Sequence, residues 1–350
     1  SRPGLLAMNA RRLLTKHRRV AVLGATAAVV ATVPCLLPHG EKAPAFVEGP
    51  KRAMSQLLTS LQFYFYGRRH FTRTGWLRHS KAYPSPDPLS SYDLRGRAYV
   101  VTGANAGVGR EITSYLAEKG ARVYMVCRDQ GRAEAARSEL AVSTRAGERL
   151  QVVLGDVSLE RDVRRIAAHV ADNEAGGLDG LVCNAGALHN ERTLTQEGVE
   201  MTFASHFLFG AYLLTTLLEP SLRAAAEAGR EPRVVMVSSG GMYNTAFPAW
   251  HKAASIPLGG HEPKYDGQMA YAYAKRGQVL LCERWAEAER QRAINRIIYV
   301  SSHPGWTSTA AVRQAYGDTA KWLEPMRSTW EGAEGICWLC AAPGSGLGPG

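Results

Sequence analysis

Residues 98–120 read AYVVTGANAGVGREITSYLAEKG, and this stretch decides the fold. It opens on a short apolar run that predicts a buried strand. A turn rich in glycine follows, with Gly103, Gly107 and Gly109. Apolar residues then recur at helical spacing until Gly120 ends the helix. A strand that turns on glycines into a helix points free backbone N–H groups and the positive helix end at one place, which suits a pyrophosphate. The stretch therefore predicts a nucleotide site.

The same alternation of apolar runs and helical segments continues downstream. Further strands are predicted at 122–126, 150–156, 181–183 and 232–239. The alternation predicts an α/β fold with a Rossmann-type, doubly wound parallel sheet in a three-layer α/β/α arrangement. In such a sheet, ligands bind at the carboxyl ends of the strands. The polar or glycine residues expected at that edge are Asp156, Asn184 and Gly186.

The positive charge of the chain is confined to its N-terminal part. The whole chain of 350 residues carries a formal charge of +11, but residues 1–81 hold 14 Lys/Arg and 2 Asp/Glu. The remaining residues hold 28 Lys/Arg and 29 Asp/Glu, so the folded body is nearly neutral. A nucleic-acid-binding domain would carry a basic face on the domain itself, so no nucleic-acid partner is predicted. A basic, partly apolar arm instead indicates targeting or a membrane surface.

Two segments of this arm carry the membrane signal. Residues 1–40 contain no acidic residue, and several arginines precede an apolar run, 20–37, that Pro34 interrupts. An organellar presequence, a signal peptide and a signal-anchor helix all fit this pattern. Residues 54–78 mix aromatic residues with arginines, which fits either a membrane interface or a helix docked on its own domain. We expect membrane association, at the mitochondrion first and at the endoplasmic reticulum as the alternative.

These patterns divide the chain into three parts. Residues 1–40 are a targeting or membrane-anchor segment, and residues 41–92 are an amphipathic arm and linker. Residues 93–350 are the nucleotide-binding domain. The linker includes YPSPDP at 83–88, whose three prolines exclude a helix and mark the entry to the domain.

The residues after the second strand select between the two nicotinamide dinucleotides. An acidic residue at that strand end accepts a hydrogen bond from the ribose 2′-hydroxyl and favours NAD. Here Cys127 and Arg128 stand at the strand end, and Asp129 comes one step later. A guanidinium pairs well with a 2′-phosphate, so Arg128 favours NADP over NAD as the cofactor.

A tyrosine and a lysine in the sequence YAYAK are the candidate proton-transfer pair. Tyr271 and Lys275 are four residues apart and share one face of a helix, whereas the adjacent tyrosine has a glycine at that spacing. A cationic lysine near a phenol lowers the pKa of the phenol toward neutrality. The tyrosine can then exchange a proton with an alcohol or a carbonyl. A serine after the fifth strand, Ser238 or Ser239, can hold the substrate oxygen.

The six cysteines do not form a metal-binding pattern. Cys337 and Cys340 form a C-x-x-C, but no second Cys or His pair stands at zinc-site spacing. The run around them, GICWLCAA, is apolar and reads as a helix. We therefore interpret the two cysteines as core residues one turn apart, and no metal site is predicted.

Six motifs in a fixed order resemble the short-chain dehydrogenase/reductase family over about residues 93–340. They are TGANAGVG (102–109), Asp156, NAG (184–186), VSS (237–239), YAYAK (271–275) and HPGWTST (303–309). The resemblance implies an NAD- or NADP-dependent oxidoreductase with a Rossmann fold. It also implies three catalytic roles. Ser239 orients the substrate carbonyl, Tyr271 donates or accepts the proton, and Lys275 binds the nicotinamide ribose and lowers the pKa of Tyr271.

The resemblance implies a cofactor site along the carboxyl ends of the strands. Asp156 and Asn184 border its adenine side, while Thr307 and Thr309 contact the carboxamide and the phosphates. The full set of expected cofactor-binding residues is Gly103, Asn105, Ala106, Gly107, Val108, Gly109, Arg128, Asp156, Val157, Asn184, Ala185, Gly186, Tyr271, Lys275, Pro304, Gly305, Thr307 and Thr309.

The chain departs from the family pattern in two places. The family has an asparagine in the helix after the fourth strand, where this chain reads FASHFLFG, with His206 or Phe207 at that position. That asparagine supports a proton relay, and His206 is a candidate to replace it. The chain also ends in APGSGLGPG where the family continues into a last strand, so we expect that strand to be missing or the sequence to be incomplete. An insert, Gly240 to Met269, is expected to border the substrate pocket with Trp250 and His251.

These observations predict an NADP-dependent enzyme that interconverts an alcohol and a carbonyl on an apolar, lipid-like substrate. The alternative is a non-catalytic subunit that binds NADP structurally within a membrane-associated complex, which the missing asparagine and the basic arm favour. The intact Ser239, Tyr271 and Lys275 speak against the alternative, because a scaffold has no chemical need for all three. The family likeness suggests a homodimer.

Overall fold

Six parallel strands form one sheet at the centre of the domain. The computed structural model describes residues 45–257, 264–292, 294 and 296–344, with side chains from residue 58 onward. The strands pair in the order β3-β2-β1-β4-β5-β6, and every neighbouring pair is parallel. Their bounds are β1 Ala98–Thr102, β2 Arg122–Cys127, β3 Leu150–Leu154, β4 Gly180–Cys183, β5 Arg233–Val237 and β6 Ile298–Ser302. The strand order reverses between β1 and β4, which confirms the predicted doubly wound, Rossmann-type sheet.

Helices connect the strands and also precede the sheet in the chain. Their bounds are α1 Ala45–His70, α2 Arg73–Ser80, α3 Pro88–Ser91, α4 Gly107–Glu118, α5 Gln130–Thr144, α6 Glu160–Asn173, α7 Met201–Glu227, α8 Trp250–Ala253, α9 Gly267–Arg290, α10 Ala310–Tyr316 and α11 Thr329–Ala341. Part of α7, Ala204–Leu213, is π-helical, which is typical of functional sites.

Two apolar cores lie on the two faces of the sheet. On one face the strands pack against α4, α5 and α11, where Ile112 and Ile336 are fully or almost fully buried. On the other face they pack against α6 and α7, where Ile166 and Leu218 are fully buried. Every residue of β1 and β5 is buried, which explains why these strands read as continuous apolar runs. The predicted three-layer α/β/α arrangement is confirmed.

The two cysteines of the C-x-x-C sequence belong to the first core. Cys337 and Cys340 lie on α11, and both are free thiols that are almost fully buried. Their positions agree with the interpretation that they are core residues one helical turn apart.

Among the described residues, α7 is the one helix that is long and apolar enough to cross a membrane. Most of its apolar stretch is nevertheless buried in the domain, and Leu214, Leu218 and Leu222 have no exposed surface. Core packing therefore accounts for its apolar character. The apolar run 20–37 and the proposed anchor segment 1–40 lie outside the described residues.

The chain divides into two compact units, and the second begins at Phe63. Within this second unit, the end of α1 and the whole of α2 pack on the domain. The Phe71 carbonyl accepts from the Trp306 N–H at 2.8 Å. On α2, Arg73 Nε donates to Glu331 at 2.9 Å and Trp76 Nε1 donates to Glu334 at 2.6 Å. The segment from Phe63 to Ser80 is thus a docked part of the domain.

Candidate active site

Hydrogen bonds from both neighbouring strands hold the glycine turn that follows β1. The Gly103 N–H donates to the Val126 carbonyl on β2 at 2.9 Å. At the end of β4, the Asn184 side chain donates to the Thr102 carbonyl at 2.9 Å. Thr102 Oγ1 in turn accepts from the backbone N–H groups of Asn184 at 3.0 Å and Ala185 at 2.9 Å. The turn is therefore fixed on both sides of β1, and the expected site residues Gly103, Asn184 and Ala185 meet there.

The first turn of α4 directly follows the glycine turn after β1. The helix begins at Gly107, whose φ of 54° lies in the left-handed region that favours glycine. The Thr309 side chain lies beside it, because a Cβ on Gly107 would stand 3.3 Å from Thr309 Cγ2. The first backbone N–H groups of a helix have no partner within the helix. The predicted residues of the turn are Asn105, Ala106, Gly107, Val108 and Gly109, and this geometry fits a bound pyrophosphate.

Arg128 and Asp129 at the end of β2 have different surroundings. Asp129 caps α5, where its Oδ1 accepts from the Arg132 N–H at 2.8 Å. Arg128 is exposed. The pKa of His189, in the loop after β4, is lowered mainly by burial, while Glu200 raises it and Arg128 lowers it further. The Arg128 guanidinium is therefore close enough to this loop to act on His189. The Asp129 carboxylate is thus used to cap α5. Arg128 lies at the end of β2, where this fold binds a ribose.

Asp156 and Val157 follow β3 at the same edge. The Gly155 N–H donates to the Cys127 carbonyl at 2.9 Å, which joins the ends of β2 and β3. Asp156 Oδ1 accepts from the Ser158 N–H at 2.9 Å, and the Val157 side chain is buried. The structure thus places these two residues beside the end of β2.

The two serines after β5 have separate environments. Ser238 is buried, and its Oγ donates to the Lys275 carbonyl at 2.9 Å. Ser239 caps the short 3-10 helix Gly240–Asn244, where its Oγ accepts from the Gly241 N–H at 3.3 Å. Ser239 also lies close enough to Tyr271 to lower the pKa of the phenol. Ser239 is therefore the serine that meets the tyrosine, while Ser238 attaches α9 to the end of β5.

Tyr271 lies between Ser239 and Lys275. Lys275 Nζ is 5.7 Å from the centroid of the Tyr271 ring. Burial raises the pKa of Tyr271 to about 12, and the nearby Ser239 hydroxyl offsets only part of this rise. The sequence predicts that the lysine lowers this pKa toward neutrality. The structure differs because burial dominates at the phenol and also suppresses the charge of the lysine.

Lys275 is 3% exposed and lies beside the end of β5. Its Nζ donates to the Val237 carbonyl at 2.7 Å and to Gln278 Oε1 at 3.2 Å. Burial lowers the pKa of Lys275 to about 7, and the nearby Cys183 thiol acts in the opposite direction. Near neutral pH the lysine is therefore divided between its charged and neutral forms.

His206 faces Tyr271 from the π-helical part of α7. The two rings meet edge-on with centroids 5.2 Å apart, and His206 Nε2 lies 3.0 Å from the Ala187 carbonyl oxygen. The imidazole fills the space beside Gly186, where a Cβ would overlap it. Burial lowers the pKa of His206 well below its usual value, so the ring is neutral. Any side chain at the expected site residue Gly186 would therefore clash with His206.

Phe207, the other residue considered at that position, lies in an apolar cluster next to it. Its ring packs on Phe203 and Phe247, with centroids 5.4 Å and 5.6 Å away. Trp250, from the insert expected to border the pocket, packs edge-on onto Phe203 at 5.0 Å, and His251 beside it is exposed. His206 is therefore the one of the two residues that faces Tyr271.

The loop after β6 separates two threonines that the sequence analysis treated together. Thr307 is buried, and its Oγ1 donates to the Pro304 carbonyl at 2.9 Å. Gly305 follows Pro304 in the left-handed conformation, with φ of 72°. Thr309 caps α10 and lies beside Gly107. The structure thus brings Thr309 to the glycine turn, whereas the Thr307 hydroxyl is held within its own loop.

Four aromatic rings, which we call the aromatic wall, lie beside Ser239. Phe71 is at their centre, with ring centroids 4.5 Å from His303, 6.2 Å from Trp306 and 6.5 Å from Tyr243. A Cβ on Gly240, the residue after Ser239, would stand 2.8 Å from the Phe71 ring. A residue from the segment before the sheet therefore forms one side of the site.

Two residues near the site were not identified from the sequence. Gln278 lies one helical turn after Lys275, and this i, i+3 spacing was the available signal. Phe71 reaches the site only through tertiary packing, so no local pattern indicates it.

Residues 97–251 match the family described as short chain dehydrogenase. The chain is 36% identical to Dehydrogenase/reductase SDR family member 12 of Bos taurus over 298 residues, which cover 84% of this chain and 86% of the relative. It is 32% identical to Retinol dehydrogenase 12 of Homo sapiens over 226 residues, which cover 65% of this chain and 66% of the relative.

A solved structure shares the fold. The NADPH-bound carbonyl reductase from chicken fatty liver aligns over 71% of this chain and 93% of its own, with a TM-score of 0.52 and 22% identity. At this identity the likeness concerns the fold alone.

Proposed function

The chain belongs to the short-chain dehydrogenase/reductase family and is an NAD(P)-dependent oxidoreductase, and from this premise we propose that it uses NADP to interconvert an alcohol and a carbonyl on an apolar, lipid-like substrate. One observation carries the proposal. Ser239 lies close enough to Tyr271 to lower the pKa of its phenol, and Lys275 Nζ lies 5.7 Å from the same ring, at the carboxyl end of β5. A serine, a tyrosine and a lysine in this arrangement support proton transfer at a carbonyl oxygen.

Ser239, Tyr271 and Lys275 would have different roles at the reacting oxygen. Ser239 Oγ already accepts from the Gly241 N–H, so its own O–H is left to donate to a substrate oxygen. Tyr271 Oη gives its proton to the oxygen in reduction and takes it back in oxidation. Lys275 Nζ, in its charged form, favours the phenolate and so eases both directions.

The residues at the nucleotide edge fit NADP. The first turn of α4 would hold the pyrophosphate, and Arg128 would pair with the 2′-phosphate. Asp129 is occupied by the α5 N–H at 2.8 Å, which removes it from the role that an acidic residue plays toward the 2′-hydroxyl of NAD. When bound, NADP supplies or accepts the hydride that accompanies the proton transfer.

The aromatic wall supports an apolar substrate. Its rings stand beside the serine that would orient the carbonyl, and Tyr243 remains 49% exposed at the rim. Burial, followed by the charge of Arg327, lowers the pKa of His303 to about 4, so this ring is also uncharged at neutral pH. A pocket lined by uncharged rings binds apolar groups through burial of their surface.

A panel of aldehydes and ketones tests the activity, with NADPH oxidation as the readout. We expect turnover of carbonyls on long apolar chains and little turnover of small polar ones. Calorimetry on the same preparation measures NADPH binding. Binding without turnover of any panel member would contradict the catalytic proposal and favour the alternative, a non-catalytic NADP-binding subunit.

Replacing Arg128 with Ala is expected to weaken NADPH binding by about 10- to 100-fold and to leave NADH binding nearly unchanged. The reason is that a charge-assisted hydrogen bond to the 2′-phosphate contributes about 1.5–3 kcal/mol. Calorimetry with both cofactors measures the effect. Arg137→Ala is the control, because Arg137 lies on α5, the helix that follows Arg128, and pairs with Glu134. Equal losses for NADPH and NADH would rule out the proposed 2′-phosphate contact.

Basic and aromatic residues near the site support membrane association. Residues 63–81 contain five Lys/Arg and no Asp/Glu. Phe65 is 67% exposed and Trp322 is 61% exposed, and Tyr64 Oη donates to the Trp322 carbonyl at 3.2 Å. Exposed aromatic rings among cations fit an anionic lipid surface. We propose that this surface binds a mitochondrial membrane, with the endoplasmic reticulum membrane as the alternative.

A polarity-sensitive dye at position 65 is expected to shift to the blue when vesicles containing anionic lipid are added. The dye is attached through Phe65→Cys in a Cys35→Ser background, since the five other cysteines are buried. Val142→Cys serves as the control, because Val142 is 81% exposed on α5 and should stay in water. Vesicle association without a shift at position 65 would show that this surface does not face the lipid.

A further inference from the structure

The buried carboxamide of Gln278 links the candidate lysine to α7. Gln278 is 1% exposed and follows Lys275 by one helical turn on α9. Its Oε1 accepts from Lys275 Nζ at 3.2 Å, and its Nε2 donates to the His206 carbonyl at 2.8 Å. The ring of the same His206 meets Tyr271 edge-on at 5.2 Å. The lysine, the amide and the helix that faces the tyrosine thus form one continuous chain of contacts.

We propose that Gln278 is a positioning residue that holds the Lys275 ammonium toward Tyr271. The inference rests on the proposed role of Lys275 in proton transfer. Gln278 itself touches neither the reacting oxygen nor the tyrosine hydroxyl, and it acts through the lysine.

The chemistry of the two partners fixes the orientation of the amide. An ammonium group can only donate, so the atom that faces Lys275 Nζ has to be the oxygen. A backbone carbonyl can only accept, so the atom that faces His206 has to be the nitrogen. Both requirements are met by one orientation, and the reversed amide would lose both bonds. Gln278 therefore presents a fixed acceptor to the lysine.

The groups that contact the lysine from four neighbouring elements are neutral. From β5 comes the Val237 carbonyl at 2.7 Å, and from β4 comes the Cys183 thiol, whose pKa burial raises to about 12. From α7 comes His206, which is neutral because burial lowers its pKa, and from α9 comes the Tyr271 phenol. Among these facing groups none carries a negative charge at neutral pH. The ammonium thus depends on hydrogen-bond acceptors, which among the described residues are the Val237 carbonyl and Gln278 Oε1.

The direction of the expected pKa change follows from which protonation form of Lys275 the hydrogen bond stabilises. A hydrogen bond accepted from an ammonium stabilises the charged form and raises the pKa of the lysine. Removing that acceptor therefore lowers the pKa of Lys275 and leaves less cation near pH 7. With less cation beside it, Tyr271 ionises at higher pH, so alcohol oxidation, which needs the phenolate, moves to higher pH.

Lysine titration by NMR tests the proposal without any substrate or cofactor. We expect lysine labelled at Cε to give one signal with a midpoint near 7, which its loss in Lys275→Arg would assign to Lys275. We expect the midpoint to fall by about one pH unit in Gln278→Met and to rise in Gln278→Glu, whose carboxylate favours the cation. Gln268→Met is the control, because Gln268 is exposed at the start of the same helix. It should leave the midpoint unchanged.

Two results would overturn the proposal. One is a Lys275 midpoint that is the same in wild type, Gln278→Met and Gln278→Glu, even if activity is lost, because the glutamine would then be structural only. The other is a midpoint that rises in Gln278→Met. If the wild type shows no turnover at all, the proposed function fails while the titration still reports on Gln278. With an active enzyme, the pH profile of alcohol oxidation should move upward in Gln278→Met and stay in place in Gln268→Met.

Discussion

Replacement of Tyr271 with Phe is expected to lower kcat/KM for carbonyl reduction by about 10²- to 10⁴-fold, the range that a positioned general acid contributes. The variant loses the phenol hydroxyl near Ser239, which is the proposed proton donor. The ring itself is retained, so its edge-on contact with His206 at 5.2 Å and the packing of α9 should persist. The loss should therefore fall on catalysis rather than on stability.

Tyr273→Phe is the matched control for this variant. Tyr273 lies two residues further on the same helix and is 7% exposed, but Lys252 rather than Lys275 lies over its ring. We expect its kcat/KM to stay within a few-fold of wild type. NADPH binding by calorimetry and the thermal midpoint should be unchanged in both variants. Full activity in Tyr271→Phe would contradict the proposed proton transfer by Tyr271.

Replacement of Gly109 with Ala is expected to abolish measurable NADPH binding and to lower the free energy of unfolding by about 1–3 kcal/mol, as overpacking does. A Cβ at this position would overlap the Gly103 carbonyl oxygen and Asn184 Nδ2. Neither atom can easily move, because Asn184 Nδ2 donates to the Thr102 carbonyl at 2.9 Å and Gly103 is held by β2. Helix α4 therefore has to shift away from the turn that would hold the pyrophosphate.

Gly131→Ala is the control for the glycine variant. Gly131 lies in the first turn of α5, where a Cβ would meet only Asp129 Oδ1 at 3.7 Å. This change should be neutral or slightly stabilising, because alanine restricts the unfolded chain. Calorimetry and urea denaturation separate the two effects. Wild-type NADPH affinity in Gly109→Ala would show that the turn does not bind the pyrophosphate in this way.

The sheet was predictable because its signals are local. The run 98–101, the glycines after it and the helical spacing up to Gly120 each lie within one βα unit, and β1 and α4 form there. The same reasoning found β2 to β5, since buried parallel strands read as short apolar runs. The spacing of Tyr271 and Lys275 was also sufficient to place them on one helix, α9.

The surroundings of those residues were not predictable from local patterns. The pKa of Tyr271 depends on burial, which only the packed structure defines. The separation of Thr307 from Thr309 depends on how one loop folds back on itself. The choice between His206 and Phe207 depends on the rotation of α7, and its π-helical part shifts that rotation relative to a regular helix.

The place of Phe71 has a consequence for how specificity is inherited. The residue belongs to the segment before the sheet, yet it packs against the residue after Ser239 and accepts a hydrogen bond from the loop after β6. Segment and pocket are therefore not separable modules. A chimera that exchanged residues 63–80 between two relatives would exchange part of the substrate preference with them. A substitution selected in residues 63–80 would also alter the proposed pocket. The segment and the pocket should therefore change together as relatives acquire new substrates.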